Sequence, residues 1–187
     1  MRVSSGRDIL LNELAAYAPA DPREADARRR VLEFVGAHDD CFERSLAIGH
    51  VTGSAWVVDR SGRCALLTHH RKLDRWLQLG GHADGDPDVK TVAFREAREE
   101  SGLRDIVSAA PGIFDLDVHP IPARGDEAEH VHYDIRFAFF ANPAERPIAS
   151  DESHAVAWIP LAELDDYSID DSVRRLVAKT PALVRAT

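Results

Sequence analysis

The sequence predicts an α/β chain of the α+β type: a mixed sheet sandwiched between helices, with an N-terminal helical extension. Three observations predict it. The first stretch of the chain carries apolar side chains at helical spacing, from His50 onward the period drops to two, and a single helix near Asp88–Ser101 interrupts the extended runs. At 187 residues and 44% hydrophobic, the chain can bury a proper core and fits one domain. The expected division is a helical extension over residues 1–45, packed on a domain spanning 46–187.

Taken in order, Ile9, Leu10, Leu14 and Tyr17 form one apolar helical stripe. Asp21-Pro22-Arg23-Glu24 then reads as a capping box with proline in the first turn, leading a helix that turns Val31, Phe34 and Val35 inward and ends at Gly36. This pair of helices could cover the sheet, line a substrate entrance or make a homodimer contact. The next segments, SAWVVD, the turn RSGR and CALLTHH, read as a hairpin, and RWLQL leads as a strand into Gly80-Gly81. Asp86 and Pro87 look like the cap and first residue of the helix that follows. IFDLDVHPIP, HVHYDIRFAFF and HAVAWIP are further strands, and LAELDDY and DDSVRRLVAK close the chain as short helices. Trp56 and Trp158 sit in strand patterns and belong to the core, and packing is the favoured role for Trp76 near the glycine loop.

The formal net charge of -9 disfavours general affinity for nucleic-acid backbone or anionic membrane. The sequence holds no apolar run approaching the ~20 residues that span a bilayer. Its first residues are amphipathic rather than leader-like, so the expected compartment is the cytoplasm. Cys41 and Cys64 fit no zinc or redox spacing and read as structural thiols.

The most informative stretch is Gly81–Leu103, GHADGDPDVKTVAFREAREESGL. On its helix, Val89, Val92 and Ala93 define an inward stripe, and Glu96, Glu99 and Glu100 continue it. Like charges at i,i+3 and i,i+4 each cost an isolated helix about 0.2–0.5 kcal/mol. Glu99 and Glu100 also occupy the last turn, where the helix dipole disfavours acids. A hard divalent cation reverses all of these penalties together.

These residues resemble the Nudix hydrolase signature: Gly, five residues, Glu, seven residues, then Arg-Glu-apolar-x-Glu-Glu-x-Gly-apolar. Gly81, Arg95, Glu96, Ala97, Glu99, Glu100, Gly102 and Leu103 fall in register, and Pro87 stands where the first Glu belongs. The resemblance implies the Nudix fold for most of the chain beyond residue 50, and a pyrophosphohydrolase cleaving a diphosphate linkage in a nucleotide-like small molecule. It implies Mg2+ or Mn2+ on Glu96, Glu99 and Glu100 with the carbonyl of Gly80 or Gly81, and Glu96 orienting or deprotonating the attacking water. Arg95 would steady the carboxylates, and Glu152, with Asp151 as its rival, would add a catalytic carboxylate from a later loop. The Glu missing at Pro87 usually supports the signature Arg and the outer metal shell. Asp84, Asp86 or Asp88 could partly substitute, so activity is expected to survive with altered metal affinity.

A second constellation lies outside the signature. Alternation along HVHYDIRFAFF puts His130, His132, Asp134 and Arg136 on one face, and along DLDVH it groups Asp115, Asp117 and His119. A hairpin turning between Pro120 and Glu129 would set His119 near His130 and Asp117 near His132. With His82, this cluster suits a second, transition metal, or a substrate phosphate gripped by Arg136, or a solvent-facing strand surface. His38, His50 and His154 look isolated and carry no functional expectation. Two rivals to the hydrolase are an enzyme like isopentenyl-diphosphate isomerase and a non-catalytic nucleotide-binding domain. The first needs a catalytic cysteine close to the glycine loop, where neither Cys41 nor Cys64 lies, and the second is disfavoured by the retained Arg95-Glu96 and Glu99-Glu100.

Overall fold

The computed structural model describes residues 5–125, 128–150 and 153–185. Two helices open it, α1 (Gly6–Ala16) and α2 (Pro22–Ala37), each started by a side-chain cap. Ser5 accepts from the Asp8 amide and Asp21 from the Glu24 amide, satisfying groups a free helix end leaves open. The strands are β1 (Gly49–Val58), β2 (Cys64–His70), β3 (Arg75–Leu77), β4 (Leu79–His82), β5 (Val107–Ser108), β6 (Asp115–Ile121), β7 (His130–Phe140) and β8 (Ser153–Pro160). Helix α3 (Val89–Ser101) follows β4, and a 3-10 turn (Leu161–Asp166) and α4 (Asp171–Arg185) follow β8.

β1 is the axis of the mixed sheet. It runs parallel to β7 along its whole length, from Gly49↔Val131 to Val58↔Phe140. Its other edge is shared: β4 pairs with Thr52–Ala55 and β2 with Val57–Val58, both antiparallel. β2 then parts from β1, takes β8 along one side and β3 along the other, and so curls the sheet. β6 lies antiparallel on the outer side of β7.

Alternation along β1 sorts two cores onto opposite faces. Val51, Ala55 and Val57 join α1, α2 and the apolar side of α3, whereas Trp56 and Val58 pack with Leu176 and Leu183 of α4. Trp56 is fully buried, with its indole N–H donated to Thr180 at 2.9 Å. Trp158 is half-buried, and Trp76 stacks on His69 and meets Tyr167 edge-on, a packing role. Both cysteines are free thiols, Cys41 buried in the first core. α2 is fixed to the sheet by Phe34, stacked 3.8 Å from Tyr133, and to α4 by the buried Glu24–Lys179 ion pair.

Several local expectations are corrected. Asp88, not Asp86, caps α3: its dihedrals, φ -84° and ψ 76°, are non-helical and it accepts from the Thr91 amide at 3.0 Å, while Asp86 accepts from the Asp88 amide. Pro87 therefore precedes the helix, and the start of α1 at Gly6 rests against it. RWLQL breaks at Gln78 into two strands, because β3 pairs with β2 and β4 with β1. LAELDDY is a 3-10 turn, and the last helix runs on through Pro181 to Arg185. The β6–β7 register also moves: His119 faces His132, and Asp117 faces Asp134. The turn lies beyond Ile121, because Pro120 can stay in the strand. Val131, opposite it, donates its amide to Ile48 on the β1 side, so Pro120 presents its missing N–H to the open edge.

Candidate active site

The acidic ridge of α3 lies along β4. Glu100 is buried and accepts from the Gly80 amide at 2.9 Å. Glu96 sits against Gly81 so closely that a Cβ there would fall 2.5 Å from its carboxylate, which is the physical reason for glycine at this position. Arg95 donates to Glu96 at 3.0 Å and reaches the His82 carbonyl at 3.5 Å, so it ties the helix to the end of β4. Gly102 ends the helix in the left-handed region at φ 68°. The ridge is not uniformly inward as expected: Glu100 is buried, Glu96 half-buried and Glu99 exposed, because Glu99 lies at the flank of the buried stripe that runs through Val89, Ala93, Ala97 and Glu100. Asp84, one proposed stand-in for the missing Glu, is bound bidentately by Arg44, whose hydrogen bonds lower its carboxyl from the ordinary range. Glu152 and Asp151 lie outside the described residues.

The polar face of β6 and β7 is interior at its Asp115, Asp134 and Arg136 end and half-buried at Asp117, His119 and His132. Asp115, Asp134 and Arg136 are all buried. Arg136 is 1% exposed and its guanidinium is already engaged, by Asp134 at 2.7 Å, Asp115 at 3.3 Å, Ser172 at 3.2 Å and Asp117 at 3.4 Å. The phosphate fork, one of the three readings of this cluster, finds no free guanidinium here: α4 closes over Arg136 and brings Ser172 and Arg175. Arg175 grips Asp115 at 2.8 Å and Asp117 at 3.1 Å, and Lys179 reaches Asp115 at 3.1 Å. Burial works to raise the Asp117 carboxyl, but the His119 hydrogen bond and Arg136 outweigh it and hold the group far below the usual range. These charges hold α4 on the sheet.

The imidazoles gather at the other end of the same face, where β1 and β7 begin. His50, at the start of β1, is the most buried member of the group. Its ring centroid is 5.0 Å from His82, 5.0 Å from His130 and 4.9 Å from His132. His119 lies T-shaped on His132 at 5.6 Å. His50 had looked isolated in the sequence, because its neighbours come from β4 and β7, and only the β1–β7 register sets it beside His132. Burial, then the neighbouring His82 and His130, pushes His50 down to about 4, and His132 is lowered further for the same reasons.

A sequence profile of the NUDIX domain matches residues 49–179, which take in every strand and the acidic helix. The chain belongs to the Nudix family. Membership carries the enzyme class with it, a Nudix-type pyrophosphohydrolase. Among solved structures, an Ap4A hydrolase from C. elegans is 16% identical, with 73% of this chain and 98% of that one covered and a TM-score of 0.50. A bifunctional NMN adenylyltransferase/ADP ribose pyrophosphatase from Francisella tularensis is 17% identical, covering 84% of this chain and 48% of that one, with a TM-score of 0.51. A NUDIX family hydrolase from Clostridium perfringens is 22% identical over 74% of this chain and 98% of that one, at a TM-score of 0.48. At these identities the likeness is one of fold. A search of curated protein sequences finds no match. In this Nudix domain, α1 and α2 lie before the matched residues, and among the described residues no helix is long and apolar enough to cross a membrane.

Proposed function

We propose that this Nudix domain is a metal-dependent hydrolase that opens a diphosphate linkage in a nucleotide-like small molecule, by attack of water on phosphorus. One observation carries the reading: two carboxylates of α3 are seated on the glycines of β4, Glu100 through the Gly80 amide and Glu96 against Gly81. Such seating sets a hard oxygen surface at a fixed place beside a backbone carbonyl.

The residues fit a magnesium-type ion. Glu96, Glu99 and Glu100 with the Gly80 carbonyl form an all-oxygen donor set, and Mg2+ retains several waters, so a partly open ridge suffices. Mn2+ accepts the same donors. When bound, the ion supplies charge neutralisation at the diphosphate oxygens. Glu96 would orient the water and take its proton, and Arg95, donating to Glu96 at 3.0 Å, holds that carboxylate in place. Glu152, which precedes β8 in the sequence, is the further carboxylate of this proposal. The substrate class is taken from the neighbours named for Ap4A and ADP ribose, both phosphoanhydride-linked nucleotides. Pro87 supports α1 rather than the metal, so the outer support of Arg95 falls to the His82 carbonyl and Glu96. The proposed compartment is the cytoplasm.

A panel of nucleotide diphosphates incubated with Mg2+ or Mn2+, read by phosphate release and product mass, tests this. Turnover of at least one member is expected, lost on chelation and reduced about 100-fold or more in Glu100→Gln, since even residues behind a metal ligand are worth 10–100-fold. Binding of a nucleotide without turnover, or full activity in Glu100→Gln, would refute it.

A further inference from the structure

The imidazoles on the opposite face of β4 are not used by this chemistry. We propose that His50, His130 and His132 bind a divalent transition cation of the zinc class, with His82 at the rim, in a site separate from the glutamate ridge. The donor atoms of these three side chains lie within 4.8 Å of one another. His130 Nε2 and His132 Nε2 are 3.2 Å apart, close to the ~3.3 Å edge of a tetrahedron with ~2.0 Å metal–nitrogen bonds.

Three further observations point to a cation. His50 is 3% exposed, and neither of its ring nitrogens has a hydrogen-bond partner, although buried polar atoms are ordinarily satisfied. A buried imidazole left with both nitrogens open beside two others is short of one partner, and a shared ion supplies it. Next, His130 Nδ1 stands 2.9 Å from the Ala128 carbonyl, which can only accept. Nδ1 therefore carries the proton, and the lone pair on Nε2 faces the cluster, the tautomer a metal requires. His119 is oriented in the same manner, its Nδ1 3.1 Å from Asp117. Finally, these rings crowd one another at centroid spacings of 4.9 to 5.6 Å, and so bring several nitrogen donors to one place. A set of imidazole nitrogens suits a borderline cation rather than a hard one.

A hydrogen bond between His130 and His132 accounts for that pair alone and leaves His50 unexplained. Nitrogen donors also separate this site from the ridge: zinc prefers imidazole, and magnesium prefers oxygen. Strand β4 divides the two, with His82 on the imidazole face and Gly81 turned to Glu96.

The test is metal binding to the full chain after chelation, by calorimetry with Zn2+ in excess Mg2+, and by the visible spectrum with Co2+. One Zn2+ per chain at micromolar affinity or better is expected, with the intense band of four-coordinate cobalt. His50→Asn and, at a less buried position, His132→Gln should each weaken Zn2+ binding at least tenfold, with circular dichroism confirming the fold. Glu100→Gln should leave it within a factor of two or three. Absence of Zn2+ binding in the wild type would overturn the proposal, as would loss in Glu100→Gln with retention in both histidine variants. Because the readout is binding, failure here leaves the hydrolase reading standing, and loss of hydrolysis in Glu100→Gln leaves this site standing.

Discussion

Replacing Arg136 separates a buried structural charge from a substrate contact. In Arg136→Met the side-chain volume is roughly kept while the guanidinium is lost. Asp115 retains Arg175 and Lys179, and Asp117 retains Arg175 and His119. Asp134 is different: Arg136 is its cationic partner, and what remains is Thr52, Ser54 and a long contact from Gln78 at 3.4 Å. The cost is thus that of one buried carboxylate stripped of its cation, at the lower end of the range for breaking a buried pair, about 3 kcal/mol. In a domain of this size that lowers Tm by roughly 6–12 °C. Urea unfolding followed by circular dichroism measures the loss, and Arg136→Met/Asp134→Asn should recover part of it, since the second change removes the stranded charge. The expected kinetic result is little change in KM at a temperature where both proteins are folded. Stability within about 1 kcal/mol of wild type together with a large rise in KM would return Arg136 to the role of phosphate fork.

Gly81→Ala should separate folding from metal affinity at the ridge. The new Cβ falls 2.5 Å from the Glu96 carboxylate, the far end of a flexible side chain, so the carboxylate moves and the fold remains within about 1 kcal/mol. The expected outcome is a raised Mg2+ requirement at nearly unchanged Tm, and an unchanged metal titration would contradict it. Asp59 anchors the β1–β2 turn by accepting from the Arg63 and Cys64 amides at 2.7 Å and from Ser61 at 3.1 Å. Burial opposes ionisation there, but the hydrogen bonds of Ser61, Cys64 and Arg63 outweigh it and lower the carboxyl below its ordinary 3.8. Its contribution is present above that value and disappears as pH falls toward the depressed one. Asp59→Asn should therefore flatten the loss of urea stability between about pH 5 and pH 3, measured against wild type.

What the sequence disclosed depended on how far apart the partners lie. The chemistry of α3 was legible because a helix gathers residues three and four apart, so Arg95, Glu96 and Glu100 declare their arrangement within one turn. The same locality made the capped N-terminal helices and the polar alternation of β6 and β7 readable. Register was not, because it is set by where a turn closes. Pro120 looked like a strand end, yet an edge strand tolerates it, and the two-residue displacement that follows sets His119 against His132 instead of His130.

His50 shows the limit most clearly. Its significance depends on a parallel pairing with His132 and on β4 folding back to set His82 opposite Thr52. No window along the chain contains both events. A lone histidine at the start of an apolar strand is ordinarily a core residue, and burial alone would support that view. The difference lies in its two unsatisfied nitrogens, since a histidine chosen for packing would be expected to find at least one partner among the carbonyls and hydroxyls near it. An unpaired buried imidazole costs stability in the metal-free protein, and a cation removes that cost by binding the folded state alone. Zn2+ should therefore raise Tm in wild type and leave His50→Asn nearly unmoved. Equal shifts in both proteins would mean that the ion binds elsewhere.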